Sequence, residues 1–129
     1  MKKISLLLIV FFTITLAGKA QTAVTETGPT MTFEKTVHDY GNVTKGGDGS
    51  YDFVFTNTGK EPLILSRPRS NCGCAVPEWP QEPIMPGQSN KIKVTYNTAL
   101  VGLINKQVTI ISNATNSPVV LQIKGTVVE

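Results

Sequence analysis

Apolar and polar residues alternate along four stretches of the chain, at residues 51–56, 91–96, 107–110 and 119–127. Successive side chains of a β-strand point to opposite faces, so a period of two places one set in a core and the other in solvent. The four stretches therefore predict half-buried strands. Their apolar members are Tyr51, Phe53, Phe55, Ile92, Val94, Tyr96, Val108, Ile110, Val119, Leu121, Ile123 and Val127.

Turn-forming residues separate these stretches, and two weaker strand candidates lie at residues 31–37 and 63–68. Beyond the N-terminal segment, no stretch of useful length shows the period of an amphipathic helix. About six or seven short strands in roughly 100 residues are typical of a single all-β sandwich with Greek-key connections. The apolar C-terminal strand at residues 119–128 is expected to close a sheet, because an unpaired strand of this kind promotes aggregation.

The N-terminus has the pattern of a secretory signal peptide. Two lysines precede an apolar run at residues 4–16, and small residues flank a cleavage site after Ala20. The run is too short to span a bilayer, which takes about 20 apolar residues. We therefore expect an exported protein, in the periplasm, on the cell surface or outside the cell, with no transmembrane span after cleavage. Residues 21–31 are expected to be a flexible leader and 32–129 the folded domain.

The charge balance changes once the signal peptide is removed. The whole chain has 12 basic and 9 acidic residues, a net charge of +3. Three of the lysines, Lys2, Lys3 and Lys19, lie in the predicted signal peptide, which leaves nine basic residues against nine acidic ones. Because no basic excess remains to neutralise phosphates, no nucleic-acid partner is expected.

One segment, residues 70–87 with the sequence SNCGCAVPEWPQEPIMPG, contains the chain's unusual residues. Both cysteines, the only tryptophan and four of the eight prolines lie there. An exported protein can be oxidised, but two cysteines do not make a disulfide-dense scaffold. The segment is therefore the first place to look for a functional site.

A set of short motifs is spread over about residues 32–128. The motifs are Phe33, His38-Asp39-Tyr40-Gly41, Phe55-Thr56-Asn57-Thr58-Gly59, Pro62-Leu63, Cys72-Gly73-Cys74, Pro83-Ile84, Pro86-Gly87, Val94, Tyr96-Asn97, Gly102, Lys106, Ser112-Asn113 and Ile123-Lys124-Gly125. Together they resemble a known family, the bacterial domain of unknown function 1573. The resemblance implies an immunoglobulin-like fold, similar to PapD/ASPM-SPD2-hydin-type modules, and an exported protein of Bacteroidetes-like bacteria. It implies no activity.

Cys72 and Cys74 have three interpretations from sequence. Two residues apart, they can reach the Cα separation of a disulfide, but a ring of three residues stabilises the fold by only ~1.6 kcal/mol, against ~3 kcal/mol for a 15-residue loop. Such a bond would be labile and redox-active or incidental. Alternatively, the thiolates bind a soft ion such as copper, with His38 as a further ligand, although a complete zinc site is not expected. Finally, the thiols are buried and inert.

Two further residue groups have a structural and a functional interpretation. Trp79, between two prolines, is either a binding anchor for a partner or a lid over one end of the sandwich, and the lid is favoured. His38 and Asp39 are adjacent, so on a strand they point to opposite faces and do not form a catalytic pair. Asp39 is expected to shape a turn.

The sequence thus predicts a single immunoglobulin-like Greek-key β-sandwich that acts as a non-catalytic binding or scaffolding module. We expect a protein partner that contacts the segment from Cys72 to Gly87 or an exposed edge strand, with Cys72, Cys74 and Trp79 as candidate binding residues. No cofactor is expected. The alternative is a thiol redox or copper-binding protein that uses Cys72 and Cys74.

Overall fold

A computed structural model describes residues 28–129, which form two four-stranded sheets and no helix. The predicted signal peptide and most of the predicted leader lie outside the described residues. The strands are β1 (Met31–Phe33), β2 (Val37–Thr44), β3 (Ser50–Asn57), β4 (Arg69–Ser70), β5 (Ala75–Glu78), β6 (Ser89–Tyr96), β7 (Gly102–Ile110) and β8 (Val119–Val128).

The strand order is β1-β3-β6-β5 in the first sheet and β2-β8-β7-β4 in the second. All neighbours are antiparallel except β2 and β8, which run parallel. The C-terminal strand β8 lies between β2 and β7, so both of its edges are paired. The strands at the sheet ends are therefore β1, β5, β2 and β4, and three of these four are short.

The core lies between the two sheets and follows the alternation in the sequence. Phe53 and Phe55 of β3 are 1% and 0% exposed, whereas their strand neighbours are only partly buried. The other fully buried side chains on β6, β7 and β8 are Ile92, Val94, Ile104, Val108, Ile110, Leu121, Ile123 and Val127. The prediction of an immunoglobulin-like Greek-key β-sandwich is confirmed, with eight strands rather than about seven.

The strand prediction was wrong at four places, all near the sheet ends. β2, β4 and β5 were not predicted: β2 has an irregularity between Asp39 and Asn42, β4 has only two residues, and β5 contains Pro77. Conversely, residues 63–68 form no strand, and only isolated bridges join Leu63 to Ile84 and Leu65 to Ser112. End strands are defined by a neighbour on one side only, so their own sequence pattern is weak.

A buried amide connects three loops at one end of the sandwich. Asn57 is fully buried. Its Nδ2 donates to the carbonyls of Glu61 (2.7 Å) and Ile84 (2.9 Å), and its Oδ1 accepts from the N–H groups of Gly59 (3.0 Å) and Thr30 (3.4 Å). A buried amide is tolerated when its donors and acceptors are all satisfied, as they are here.

Candidate functional site

A groove lies on one side of the sandwich, between the end strands β4 and β5. The two strands belong to different sheets. Each of them pairs on one edge only: β4 pairs with β7, and β5 pairs with β6. A surface groove of about 820 Å³ lies along these two strands and the loop that joins them. The lining residues are Arg67, Pro68, Arg69, Ser70, Cys72, Gly73, Ala75, Val76, Pro77 and Trp79.

A disulfide between Cys72 and Cys74 lies in the loop that joins β4 to β5, with a Cα–Cα distance of 5.3 Å. Both residues are partly buried, but they contact different parts of the domain. Cys72 lines the groove, whereas Cys74 packs against the hydrophobic core. Of the three interpretations from sequence, the structure has the disulfide. In this state neither sulfur is a thiolate, which is the form that binds copper.

The loop that carries the disulfide is also held by hydrogen bonds. The Ser70 hydroxyl donates to the carbonyl of Cys72 at 2.7 Å. The N–H of Asn97, just beyond β6, donates to the carbonyl of Cys74 at 2.8 Å. Neither hydrogen bond involves sulfur, so the position of the loop does not depend on the disulfide alone.

Trp79 follows β5 and forms part of the groove wall. Its side chain is partly buried and packs against the hydrophobic core, while the same residue lines the groove. Trp79 therefore contacts both the core and the groove. Val76, which is 55% exposed, adds apolar surface beside it. The groove therefore has an apolar wall on the β5 side.

The groove also has a net positive charge. Arg67 and Arg69 are the only charged residues among those that line it, and no acidic residue offsets them. Positive charge in a concave site concentrates anionic groups there. The combination of an apolar wall and two guanidinium groups suits an acidic ligand with some apolar surface.

The free edge of β5 is poorly suited to pairing with another strand. In an antiparallel pair the backbone groups point alternately toward and away from the partner strand. The hydrogen bond from Asn97 to Cys74 therefore directs the backbone groups of Ala75 and Pro77 away from β6. Pro77 has no N–H to donate, so the groove side chains are the main feature that this side offers a partner.

His38 is not placed with the cysteines. Its ring stacks on Tyr51, with centroids 3.6 Å apart, and meets the edge of Tyr40 at 4.6 Å. Within residues 28–129, no group of three His, Cys, Asp or Glu side chains is arranged to hold a metal ion. The structure therefore does not bring together the ligand set of Cys72, Cys74 and His38.

Asp39 lies within β2 rather than in a separate turn. Its carboxylate accepts a hydrogen bond of 2.8 Å from the N–H of Gly41, at the irregularity of the strand. Tyr40 next to it donates from its hydroxyl to the carbonyl of Gly49 at 2.7 Å. Burial, with the nearby Asp48 carboxylate, raises the pKa of Tyr40 to about 12. These contacts give this corner a structural role.

From the burial of His38 we predict that the folded domain loses stability at mildly acidic pH. Burial lowers its pKa, an effect that Asp39 opposes and Lys35 reinforces. The unfolded chain therefore binds the proton more readily, and the stability present above pH 6.5 is lost as the pH falls through the folded-state pKa. We expect the free energy of unfolding, measured in urea, to fall between pH 7 and pH 5.

The matched variant for this measurement is His38→Gln. His38 is the only histidine of the chain, so its replacement is expected to flatten the pH dependence near pH 6. An equally steep decline in His38→Gln would show that other groups cause it.

Three groove residues lie outside the segment identified from the sequence, namely Arg67, Pro68 and Arg69. Arg67 and Arg69 directly precede the cysteine segment in the stretch SRPRSNCGC. Two arginines beside a pair of cysteines could have been noticed as a signal. Which side of the sandwich they face depends on β4, a strand of two residues that sequence patterns do not reveal.

The chain belongs to a family of proteins of unknown function. The family model described as protein of unknown function (DUF1573) matches residues 31–127, which includes all eight strands but the last residue of β8. The resemblance stated from the sequence motifs is thereby confirmed. No curated protein matches the sequence.

Solved structures with this fold come from several sources. A protein of unknown function from Porphyromonas gingivalis W83 matches with a TM-score of 0.70 and 18% identity, over 84% of this chain and 51% of that one. The PapD-like domain 7 of human CEP192 matches with a TM-score of 0.62 and 10% identity, over 79% and 87%. The secreted serine protease VesC from Vibrio cholerae matches with a TM-score of 0.57 and 15% identity, over 76% of this chain but only 23% of the protease.

These similarities show the fold and no activity, because all three identities are low. The chain spans about half the length of the Porphyromonas protein and less than a quarter of the protease. A helix long and apolar enough to cross a membrane is not found among residues 28–129.

Proposed function

We propose that the protein is an exported, non-catalytic binding module whose groove between β4 and β5 takes an extended, acidic segment of another protein. The observation that carries this proposal is the groove itself. Its lining combines an apolar wall formed with Trp79 and two arginines without an acidic counterpart. Folds of this class act through surfaces and loops added to a stable scaffold, so the site rather than the fold supports the proposal.

The position of the groove favours an extended segment. It is bordered by the end strands of two different sheets, β4 and β5, which are themselves extended. An extended chain presents alternate side chains to opposite sides. One set would contact the guanidinium groups of Arg67 and Arg69, and the other would pack on Val76 and Trp79. Arginine pairs with carboxylates through two parallel hydrogen bonds, which adds specificity to the charge attraction.

The export part of the proposal rests on the N-terminal sequence, which has the order of charged, apolar and small residues that a signal peptide needs. A disulfide between Cys72 and Cys74 agrees with an oxidising compartment. Mass spectrometry of the protein purified from its own cells would test this part. A mature N-terminus at residue 21 supports export, and an intact residue 1 contradicts it.

Binding can be measured with the protein's own tryptophan. Trp79 is the only tryptophan of the chain and lines the groove, so its fluorescence reports occupancy. The probes are two synthetic peptides of about ten residues, one alternating Glu with Val and one alternating Lys with Val. We expect saturable quenching or a spectral shift with the Glu peptide. Equal responses to both peptides would contradict the proposal.

Charge reversal in the groove provides the matched variants. Arg67→Glu and Arg69→Glu are each expected to weaken binding of the Glu peptide by about tenfold, which corresponds to ~1.4 kcal/mol. Lys124→Glu makes the same change in net charge on the exposed face of β8, outside the groove. It is expected to leave the affinity nearly unchanged. If all three variants weaken binding alike, the attraction is general and the groove is not the site.

The natural partner can then be found by photo-crosslinking in the cells that produce the protein. A photoreactive amino acid at Val76 would lie in the groove, and one at Leu103, which is 77% exposed on β7, would lie elsewhere. A partner captured from position 76 only, and lost in Arg67→Glu, fits the proposal. Identical captures from both positions would not.

A further inference from the structure

The Cys72–Cys74 disulfide closes a very small ring, with one residue between the cysteines. The stabilisation from a disulfide grows with the number of residues that it encloses, so this bond restricts the unfolded chain very little. The loop is also held by hydrogen bonds from Ser70 and Asn97 that do not involve sulfur. A role as a structural staple therefore explains little of its presence in the groove.

The two sulfurs differ in what can reach them. Cys72 lines the groove, whereas Cys74 packs against the core. A thiolate entering the groove would therefore meet the sulfur of Cys72, with Cys74 as the leaving group. The chain has no other cysteine, so an attacking thiol must come from another molecule. The positive charge of Arg67 and Arg69 favours the thiolate form of a thiol in the same groove.

We propose that the Cys72–Cys74 disulfide is a thiol–disulfide exchange site that oxidises a pair of thiols on an acidic segment bound in the groove. This inference rests on the proposed function, because the groove selects the segment. It adds a chemical step at the same site and defines the partner further, as an acidic segment with two cysteines close together.

The exchange takes two steps. In the first, one partner thiolate attacks the sulfur of Cys72 and forms a mixed disulfide, the Cys72–Cys74 bond breaks, and Cys74 leaves with the electron pair as a thiolate. In the second, the other partner thiolate attacks the partner sulfur of the mixed disulfide, and Cys72 leaves as a thiolate. The partner loses two electrons and gains a disulfide. Cys72 and Cys74 gain the two electrons and take up the two protons that the partner thiols release.

The probes for the test are two peptides that each contain the sequence Cys-Ala-Ala-Cys, one flanked by Glu residues and the other by Lys residues. Each reduced peptide is mixed with one equivalent of the oxidised protein, and acid quenching with alkylation and mass spectrometry follows both partners. We expect one equivalent of oxidised Glu peptide per protein, formed at least tenfold faster than oxidised Lys peptide. Equal rates of oxidation for the two peptides would overturn the proposal, and so would a failure of the protein to oxidise the Glu peptide.

Single-cysteine variants test which sulfur reacts. Cys74→Ser leaves only Cys72, and Cys72→Ser leaves only Cys74. With the oxidised Glu peptide as the probe, Cys74→Ser is expected to form the mixed disulfide at least tenfold faster than Cys72→Ser. Equal rates would contradict the assignment of Cys72 as the attacked sulfur. Thermal unfolding of both variants checks that the domain is folded, which the sulfur-independent hydrogen bonds of the loop predict.

A final comparison separates this inference from the proposed function. The double variant Cys72→Ser/Cys74→Ser and a Glu peptide with serines in place of cysteines can bind but cannot exchange. If they bind, as reported by Trp79 fluorescence, and the wild-type protein still transfers no disulfide, the exchange inference fails and the groove remains a binding site. If they do not bind and exchange shows no preference for the Glu peptide, the proposed function fails as well.

Discussion

Asn57→Asp is expected to lower the free energy of unfolding at pH 7 by about 2–5 kcal/mol. The substitution replaces the buried Nδ2, which donates to the carbonyls of Glu61 and Ile84, with an oxygen that can only accept. Three oxygens would then face one another without a hydrogen between them, and a negative charge would be buried. Urea denaturation followed by circular dichroism measures the change.

The matched control is Asn113→Asp. The side chain of Asn113 makes the same kinds of hydrogen bond. Its Nδ2 donates to the carbonyl of Pro62 (3.1 Å), and its Oδ1 accepts from the N–H of Ile64 (2.8 Å). Unlike Asn57, however, Asn113 is exposed. Water can replace the lost partners there, so we expect a loss below about 1 kcal/mol. Equal losses in the two variants would show that burial of Asn57 is not the reason for its importance.

The Asn57→Asp variant should also have a characteristic pH dependence. Burial against two carbonyls raises the pKa of the new carboxyl above its value in the unfolded chain. The free-energy cost of burying the charged carboxylate is therefore full at neutral pH. It shrinks as the pH falls through the raised folded-state pKa and is lost below the unfolded-state pKa. The difference in the free energy of unfolding between the variant and the wild type is expected to narrow from pH 7 to pH 4. A constant gap would indicate that lost hydrogen bonds, rather than charge, dominate.

Gly125→Ala is expected to destabilise the domain by about 2–4 kcal/mol, through backbone strain and a steric clash together. Gly125 of β8 has a φ of +148°, a region that side chains disfavour. A Cβ there would lie 2.8 Å from the carbonyl oxygen of Gly41 and 3.1 Å from Cβ of Tyr40, so β2 would have to move away from β8. Faster hydrogen exchange of the β2 amides should accompany the loss of stability.

Gly102→Ala separates the two causes. Gly102 begins β7 with a φ of +126°, but a Cβ there would have nothing within 4 Å. This variant carries the backbone strain alone and is expected to lose about 1 kcal/mol without loosening β2. If both variants lose the same stability, the clash of the Cβ added at Gly125 with β2 adds nothing to the backbone strain.

Asn57 and Gly125 show why the family motifs could be noticed in the sequence before their role was known. Both belong to motifs that supported the resemblance, Phe55-Thr56-Asn57-Thr58-Gly59 and Ile123-Lys124-Gly125. Neither residue is apolar, so hydrophobic periodicity assigns them no place. The amide is needed because three loops meet around it, and the glycine because another strand's backbone lies 2.8 Å from where its Cβ would be. Both reasons depend on contacts between residues far apart in the chain.

The candidate site was predicted only in part for the same reason. The sequence singled out Cys72, Cys74 and Trp79 because they are rare residue types gathered in one segment. It did not indicate the groove, because the groove exists only where β4 and β5, ends of two different sheets, lie side by side. Arg67 and Arg69 became part of the site through that arrangement. His38, proposed with the cysteines as a ligand set, instead stacks on Tyr51.

The sequence by itself determined the class of fold and the core. Alternation at a period of two is a local property of the chain, and burial of one face follows from the hydrophobic effect whatever the strand order. Only the tertiary structure decided which strands end the sheets, where the groove opens, and which cysteine faces it. These features depend on pairings between segments that are distant in the chain, such as the parallel pairing of β2 with β8. The free energy of such a pairing depends on both strands together, so it cannot be judged from the sequence of either one.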